Sequence, residues 1–430
     1  MGSADTIFAL SSGAPPAAIA VMRISGPAAF AAVRALAGKL PEPRRASLRR
    51  LRDAEGAMLD EALILVFPGS ATATGEDLAE LHLHGGRAVL RGVEAALLAL
   101  AGVRRAEPGE FTRRAFANGR IDLNQAEGLG DLLSAETEWQ RCAALQMAGG
   151  AFSKAVENWR ESVLALSATT EALLDFADEG DVGESENINI SIRCIEFHDV
   201  IAAFLAAPAA EKLRDGLRVV IAGPPNSGKS TLLNALVARE AAIVSDIPGT
   251  TRDVIEVPVA FEGIAFLLTD TAGLRSDTSD AIESIGIERA EAAMAVADII
   301  LWLGPEGEGP VHPHLREIDA KADLPDRVAK SAHALIVSAQ TGQGLNVLIS
   351  WLAETARTLL PPPDSFAINQ RQRLLLGDVS HALLHASKTE DLLVIAEELR
   401  RARLSLDALT GRASTEDMLD ALFGRFCIGK

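Results

Sequence analysis

Cysteine is scarce: Cys142, Cys194 and Cys427 are the only three in 430 residues, far apart and with no CxxC pair. That argues against a disulfide framework or a structural zinc site and suits a reducing compartment. Basic side chains are outnumbered, 41 Lys and Arg against 59 Asp and Glu, which leaves a net charge of −18. An acidic chain gains no general counterion-release affinity for nucleic acid, so such contact needs a local basic patch. Arg44, Arg45, Arg49, Arg50 and Arg52 crowd one short segment, for which a solvated, Arg-rich surface loop is the plainer reading. Long apolar runs are missing: none approaches the ~20 residues that a membrane span needs. The N-terminus also lacks the basic-then-apolar order of a signal peptide. The expectation is a soluble, cytoplasmic protein with no membrane partner.

Hydrophobic residues make up 48% of the chain, enough for several packed cores, so disorder is not a serious reading. Up to about Asn118, short apolar runs such as Ala18 to Ile24 and Ala62 to Phe67 mix with turns, which reads as a compact α+β domain over 1–118. Residues 119–215 turn helical, with Val163, Leu166, Leu173 and Leu174 on one face and an acidic loop over Asp178 to Glu186. Over 216–361 strand and helix alternate as a parallel α/β sheet requires, ending at Leu360-Pro361-Pro362-Pro363. Residues 362–430 are helical again. Leu392, Ile395, Leu399, Leu406 and Leu409 lie on one side, Gly411 serves as a C-cap, and Ser414 with Asp417 opens a last helix. The α/β part is thus predicted to be inserted between two halves of one helical domain.

The strand signal Arg218 to Ala222 runs straight into Gly223-Pro224-Pro225-Asn226-Ser227-Gly228-Lys229-Ser230, and a helix follows from Thr231. Strand, GxxxxGK[ST] loop and helix together form a phosphate cradle. Backbone N–H groups and the helix N-terminus face the phosphates, Gly228 lets the main chain approach, Lys229 neutralises charge and the Ser230 hydroxyl ligates Mg²⁺. A second strand ends in Asp270-Thr271-Ala272-Gly273, where Asp270 is placed to hold the Mg²⁺ shell through water and Gly273 to sense a γ-phosphate. Between them Gly249-Thr250-Thr251-Arg252-Asp253 offers a threonine, Thr251, to complete that shell. Guanine-specific sites carry N-K-x-D. Here Ala320-Lys321-Ala322-Asp323 keeps the aspartate that pairs with guanine N1 and N2 and the lysine that covers the ring, but lacks the asparagine. Val337-Ser338-Ala339-Gln340 resembles the last guanine-contacting loop. The strand before it, Leu315 to Asp319, is unusually polar, and the glutamine that orients water in Ras-like proteins is replaced by Leu274.

These residues resemble the MnmE (TrmE) family of tRNA-modification GTPases over essentially the whole chain. The markers are Asp5-Thr6-Ile7, Arg23-Ile24-Ser25-Gly26, Gly75-Glu76-Asp77, His84-Gly85-Gly86, Pro108-Gly109-Glu110-Phe111, Asp122 to Glu127, Asp246 to Asp253, Ile285 to Arg289 and the closing Phe426-Cys427-Ile428-Gly429-Lys430. The resemblance implies a multidomain fold: an α+β N-terminal folate-binding and dimerisation domain, an α-helical domain, and an inserted Ras-like α/β P-loop G domain. It also implies a homodimer that works with an FAD flavoprotein, MnmG. Together they place an aminomethyl or carboxymethylaminomethyl group on C5 of the tRNA wobble uridine, with a tetrahydrofolate one-carbon derivative as donor.

For the nucleotide the resemblance implies GTP, with K⁺ in place of an arginine finger, held by Asn226, Ser245, Ile247 and Thr250. The switch residues Asp246, Pro248 and Gly249 lie among these ligands. Asn226 also reads as a plain turn-former. Glu283 would orient the attacking water, although without the family it is one acid among several. Folate would draw on Arg23, Glu80, Arg120 (where the family commonly has Lys) and Lys430. Cys427 is the thiol to suspect of modification chemistry, with a small residue in a packed tail as the equal alternative. His82 and His84 share a strand face without a third ligand and read as structural or folate-proximal. The rival classes are a ribosome-assembly GTPase of the Era or EngA kind and a non-hydrolysing nucleotide sensor. The first should carry a basic GxxG RNA-binding appendage, and the second would show no GTP turnover.

Overall fold

The computed structural model describes residues 5–175, 184–206, 210–239, 256–271, 290–325, 329–331, 333–362, 366–413, 416–424, 426 and 429. By contact the chain divides into two compact units, one of Met1–Gly130, Ser153–Glu157 and Asp407–Lys430, the other of Asp131–Phe152 and Asn158–Leu406. The C-terminal stretch from Asp407 thus groups with the N-terminal sheet, whereas the sequence reading assigns all of 362–430 to the helical domain.

The first unit is built on a six-stranded sheet, with strands β1 (Thr6–Leu10), β2 (Ala17–Ser25), β3 (Ser47–Arg52), β4 (Met58–Phe67), β5 (Leu78–Gly85) and β6 (Val103–Arg105) in the order β3-β4-β5-β2-β1-β6. Alternation decides which side is core: Asp60, Ala62, Ile64 and Val66 of β4 point inward while Glu61 and Leu63 point out. The helices α1 (Ala29–Ala37) and α2 (Arg87–Leu98) bury Val33, Leu36, Val93 and Leu97 with Ile24, Ile64 and Leu81. The arginine-rich segment is a correction to the expected loop, because Arg49, Arg50 and Arg52 lie in edge strand β3. Arg50 stands opposite Glu61 and Leu51 is fully buried, so one inward leucine fixes the register while the charged edge discourages pairing with other strands.

After α3 (Glu110–Ala117), helix α4 (Leu123–Ser134) opens on a reciprocal cap: Asp122 accepts from the Gln125 N–H and Gln125 from the Asp122 N–H. Phe423 of the last helix, α14 (Glu416–Phe423), and Phe426 beyond it pack with Ala126 and Phe116. The tail then lies against β1, where Ser11 Oγ donates to the Gly429 carbonyl at 2.8 Å. A Cβ on Gly429 would fall 2.2 Å from the Leu10 carbonyl oxygen, so only glycine fits there.

The second unit holds a six-stranded sheet in the order β12-β11-β10-β7-β9-β8. Its strands are β7 (Leu217–Ala222), β8 (Glu256–Phe261), β9 (Ile264–Asp270), β10 (Ile299–Trp302), β11 (Leu315–Asp319) and β12 (Leu335–Ile336), all parallel except β8. Helices α9 (Lys229–Arg239) and α10 (290–295) lie between its strands along the chain, and α11 (Leu345–Leu359) follows β12. The polar strand β11 is explained by its partners: Glu317 accepts from Lys330 and from the Gly307 N–H, and Arg316 lies over the Trp351 ring.

The other helices are α5 (Glu138–Ala148), α6 (Ala151–Asp175), α7 (Glu184–Ala206), α8 (Ala210–Asp215), α12 (Gln370–Ala386) and α13 (Leu392–Thr410), of which α5 and α8 pack on β9 and α12 packs on α7. Glu184–Glu186, expected in a loop, begin α7. Val163, Leu166 and Leu173 are buried on α6, and Ile395 and Leu399 on α13. Gly411, at φ 86°, follows the last residue of α13, whereas Ser414 lies outside the described residues. The fold is therefore multidomain: an α+β N-terminal part, helices, and an inserted doubly wound P-loop domain.

Candidate nucleotide-binding site

The site forms where β7 and β9 end side by side in the parallel sheet, the place at which such folds bind phosphates. Residues Gly223 to Gly228 turn from β7 into α9, with Asn226 at φ 60° and Gly228 at φ 102°. Lys229 is almost fully buried, and its ammonium donates to the Gly223 and Pro224 carbonyls at 3.0 and 2.8 Å. Its charge is thereby held inside the loop rather than in water. Among the described residues the buried Ser227 hydroxyl has no hydrogen-bond partner, and a phosphate oxygen would satisfy it. Ser230 Oγ donates to Asp270 Oδ2, and Thr271 ties the same strand end to β7 by donating through its N–H and hydroxyl to the Ile221 carbonyl. A hydroxyl and a carboxylate meeting beside the lysine are the hard oxygen donors that Mg²⁺ takes.

A pocket lies beyond the loop, lined by Thr231, Leu232, Ala320, Lys321, Asp323, Leu324, Val337, Ala339 and Gln340. Ser338 Oγ donates to Asp323 Oδ1 at 2.5 Å, and that bond first, with the nearby Lys321 a lesser cause, holds the Asp323 carboxyl below its usual range. That bond fixes one carboxylate oxygen of a residue that lines the pocket. Lys321, at φ 59°, reaches back to the Asn226 carbonyl at 2.5 Å and covers the loop. Ala320 packs against the domain core and brings no polar group. Leu232 and Leu324 are pocket residues that sequence reasoning missed, whereas Val337, Ala339 and Gln340 belong to the loop it singled out.

Several predicted residues lie outside the described ones: Ser245, Asp246, Ile247, Pro248, Gly249, Thr250, Thr251, Ala272, Gly273, Glu283, Cys427 and Lys430. Of the described thiols, Cys194 is fully buried and burial pushes its pKa up to about 11, which removes it as a nucleophile.

In the N-terminal unit, Arg23 donates to Glu80 Oε1 at 3.2 and 2.9 Å, and Glu80 Oε2 stands 3.4 Å from His82 Nε2. His84 bonds Asp60 instead, at 2.7 Å, so each imidazole has its own carboxylate and the two do not converge. Arg120 donates to the Thr72 carbonyl at 3.0 Å. Ala9 of β1 is paired with Arg23, and two residues further on Ser11 Oγ donates to the Gly429 carbonyl. Sequence reasoning missed the ion network beside it. Arg114, nearly buried, bridges Asp5, Glu76 and Glu110, and Arg104 joins Asp5 to Glu110. Burial pushes the Glu110 carboxyl up, yet hydrogen bonds from Arg104, the Glu107 N–H and Arg114 outweigh it and hold the pKa down.

Comparison with known proteins covers the same two parts. The family described as "GTP-binding protein TrmE N-terminus" matches residues 6–120, and that described as "MnmE helical domain" matches 123–427. A protein of Erythrobacter litoralis named "tRNA modification GTPase MnmE" is 58% identical over 427 residues, covering 99% of this chain and 100% of the relative. One of the same name from Novosphingobium aromaticivorans is 57% identical over 435 residues, with 99% and 100% covered, and one from Zymomonas mobilis is 49% identical over 436 residues with the same coverage. Among solved structures, the G domain of the T. maritima FeoB iron transporter matches at 21% identity and TM-score 0.24, over 33% of this chain and 98% of its own.

Proposed function

This chain belongs to the MnmE family of tRNA modification GTPases, and on that premise we propose that it hydrolyses GTP to drive modification of the tRNA wobble uridine at C5. The observation that carries the hydrolytic half is the meeting of Ser230 and Asp270 beside the buried Lys229. Lys229 would neutralise the β- and γ-phosphates, the Ser227 hydroxyl and loop N–H groups would hold their oxygens, and Asp323 would read guanine N1 and N2. Mg²⁺, held by Ser230 and Thr251 and through water by Asp270, would supply charge neutralisation at the phosphates.

With Leu274 where Ras-like sites carry glutamine, Glu283 is the proposed water-orienting residue. K⁺, held by Asn226, Ser245, Ile247 and Thr250 in a G-domain pair, is the proposed substitute for an arginine finger. In the N-terminal part, Arg23, Glu80, Arg120 and Lys430 would hold a tetrahydrofolate one-carbon derivative, and the chain would act as a homodimer with an MnmG-type FAD flavoprotein. Cys427 is proposed either as a modification thiol or as a small packed residue, and Cys427→Ser distinguishes them by wobble-uridine content. Turnover of GTP should rise markedly in K⁺ over Na⁺ at equal ionic strength. Glu283→Ala should abolish most turnover while GTP affinity stays nearly intact, since a water-orienting group acts in the transition state. Equal rates in both salts, or wild-type turnover in the variant, would contradict the respective assignment.

A further inference from the structure

Residues 24–52 carry six arginines and Lys39 against a single acid, Glu42, in a chain whose net charge is −18. No other stretch of that length in the chain is as basic. The fold gathers this charge in one place. Helix α1, with the exposed Arg34, packs on β3, and β3 ends its sheet, paired with β4 alone. Successive side chains of a strand point to opposite faces, so Arg49 and Arg50, across from Ala62 and Glu61, flank the free edge on both sides. Most of the charge is not neutralised within the protein. Arg44 donates to the Ala71 carbonyl at 2.9 Å with its Cζ 5.6 Å from the Phe67 ring centroid. Arg49 donates to the Leu48 carbonyl at 2.9 Å and Arg52 to the Gly56 carbonyl at 2.7 Å. A carbonyl orients a guanidinium and leaves its charge whole. Among the described residues of this segment, Arg45 and Arg50 alone meet carboxylates, Glu42 at 2.6 Å and Glu61 at 3.3 Å, in exposed pairs that water weakens.

We propose that the β3 edge, through Arg44, Arg49 and Arg52, is a docking surface for the sugar–phosphate backbone of tRNA. The proposal rests on the tRNA-modification reading above. A chain that is acidic overall repels nucleic acid, so its contact with RNA must be local, and this edge supplies the local charge. Guanidinium takes phosphate through two parallel N–H bonds, a match that a lysine ammonium lacks. A second β3 edge would set like charge on like, which disfavours self-pairing. An acidic protein segment is the rival occupant. Protein interfaces exclude charge from their centres, whereas binding to a phosphate backbone gains from each guanidinium by releasing counterions, and that favours RNA.

The test is a tRNA titration of the full chain by fluorescence anisotropy, from about 50 to about 200 mM salt. The variant Arg44→Ala/Arg49→Ala/Arg52→Ala should flatten the slope of log affinity against log salt by about 2–3 and weaken binding about tenfold or more. Lysine at the same three positions keeps the charge and should keep the slope. Arg52→Ala alone should flatten it by about 1, which decides the matter if the triple variant misfolds. Arg400→Ala, an exposed arginine of α13, should change nothing. No tRNA binding by the wild type, an unchanged slope in the alanine variants, or equal flattening by lysine or by Arg400→Ala would each overturn the proposal. Equal affinity for polyglutamate and tRNA would assign the edge to an acidic protein segment instead. A failure of the tRNA-modification reading shows elsewhere, in the wobble nucleosides of cells lacking the gene.

Discussion

Asp323 shares its carboxylate with Ser338, and that sharing sets what substitution does at the base pocket. Asp323→Asn replaces an acceptor of the guanine N1 and N2 donors by an amide. GDP affinity should fall by about 100-fold or more, since a polar group built for one base is left unpaired. The amide should relatively favour a xanthine nucleotide, whose C2 carbonyl accepts. Competition binding with GDP, XDP and ADP checks both, and an unchanged GDP preference would mean that Asp323 does not read the base. Ser338→Ala should cost about tenfold in GDP affinity, one hydrogen bond to a charged group. Ala320→Asn should tighten GDP binding, while no change would point to compensation by the pocket's other polar side chains, Thr231 or Gln340.

Among elements, the ion network of α3 with β6 is the part most exposed to pH. The Glu110 carboxyl titrates below its ordinary 4.5 in the folded state. A carboxylate with a depressed folded pKa adds stability above its unfolded value and loses it as pH falls through the folded one. The N-terminal unit should therefore weaken below about pH 4.5, and Glu110→Gln should flatten that dependence in urea titrations followed across pH. Arg114→Ala takes the guanidinium from the half-buried Glu76, while Arg104 still pairs with Asp5 and Glu110, and should cost about 2–3 kcal/mol. A loss under 1 kcal/mol in the same titration would show that the network carries little stability. Neither Arg114 nor Arg104 was legible in the sequence as a network, because the i,i+4 pair Glu110–Arg114 looks like any exposed helix pair until Glu76 and Asp5 arrive from elsewhere. Edge strand β3 was misread for a related reason: the strand signal needs inward apolar residues, and here Leu51 alone supplies one that is fully buried.

For the whole molecule, the phosphate loop, the Asp270 strand and the Asp323 loop were legible because phosphate and guanine chemistry demand fixed residue types at fixed spacing. Most of the element pattern followed from periodicity, as α13 shows with Ile395, Leu399, Leu406 and Leu409 all buried. The tie between α5 and α8 was not legible, because the Leu213 and Arg214 carbonyls to which Gln140 donates are brought to it only by the fold. Nor does spacing reveal that the tail grips β1 through Gly429. The central claim joins GTP chemistry to tRNA modification, and one measurement addresses it. Wobble uridines should be quantified by mass spectrometry in tRNA from cells lacking the gene, complemented with wild-type chain or with Asp270→Asn. The C5-modified nucleosides should disappear in the deletion, return with the wild type and stay absent with Asp270→Asn. Unaltered modification in the deletion, or full rescue by Asp270→Asn, would contradict the account.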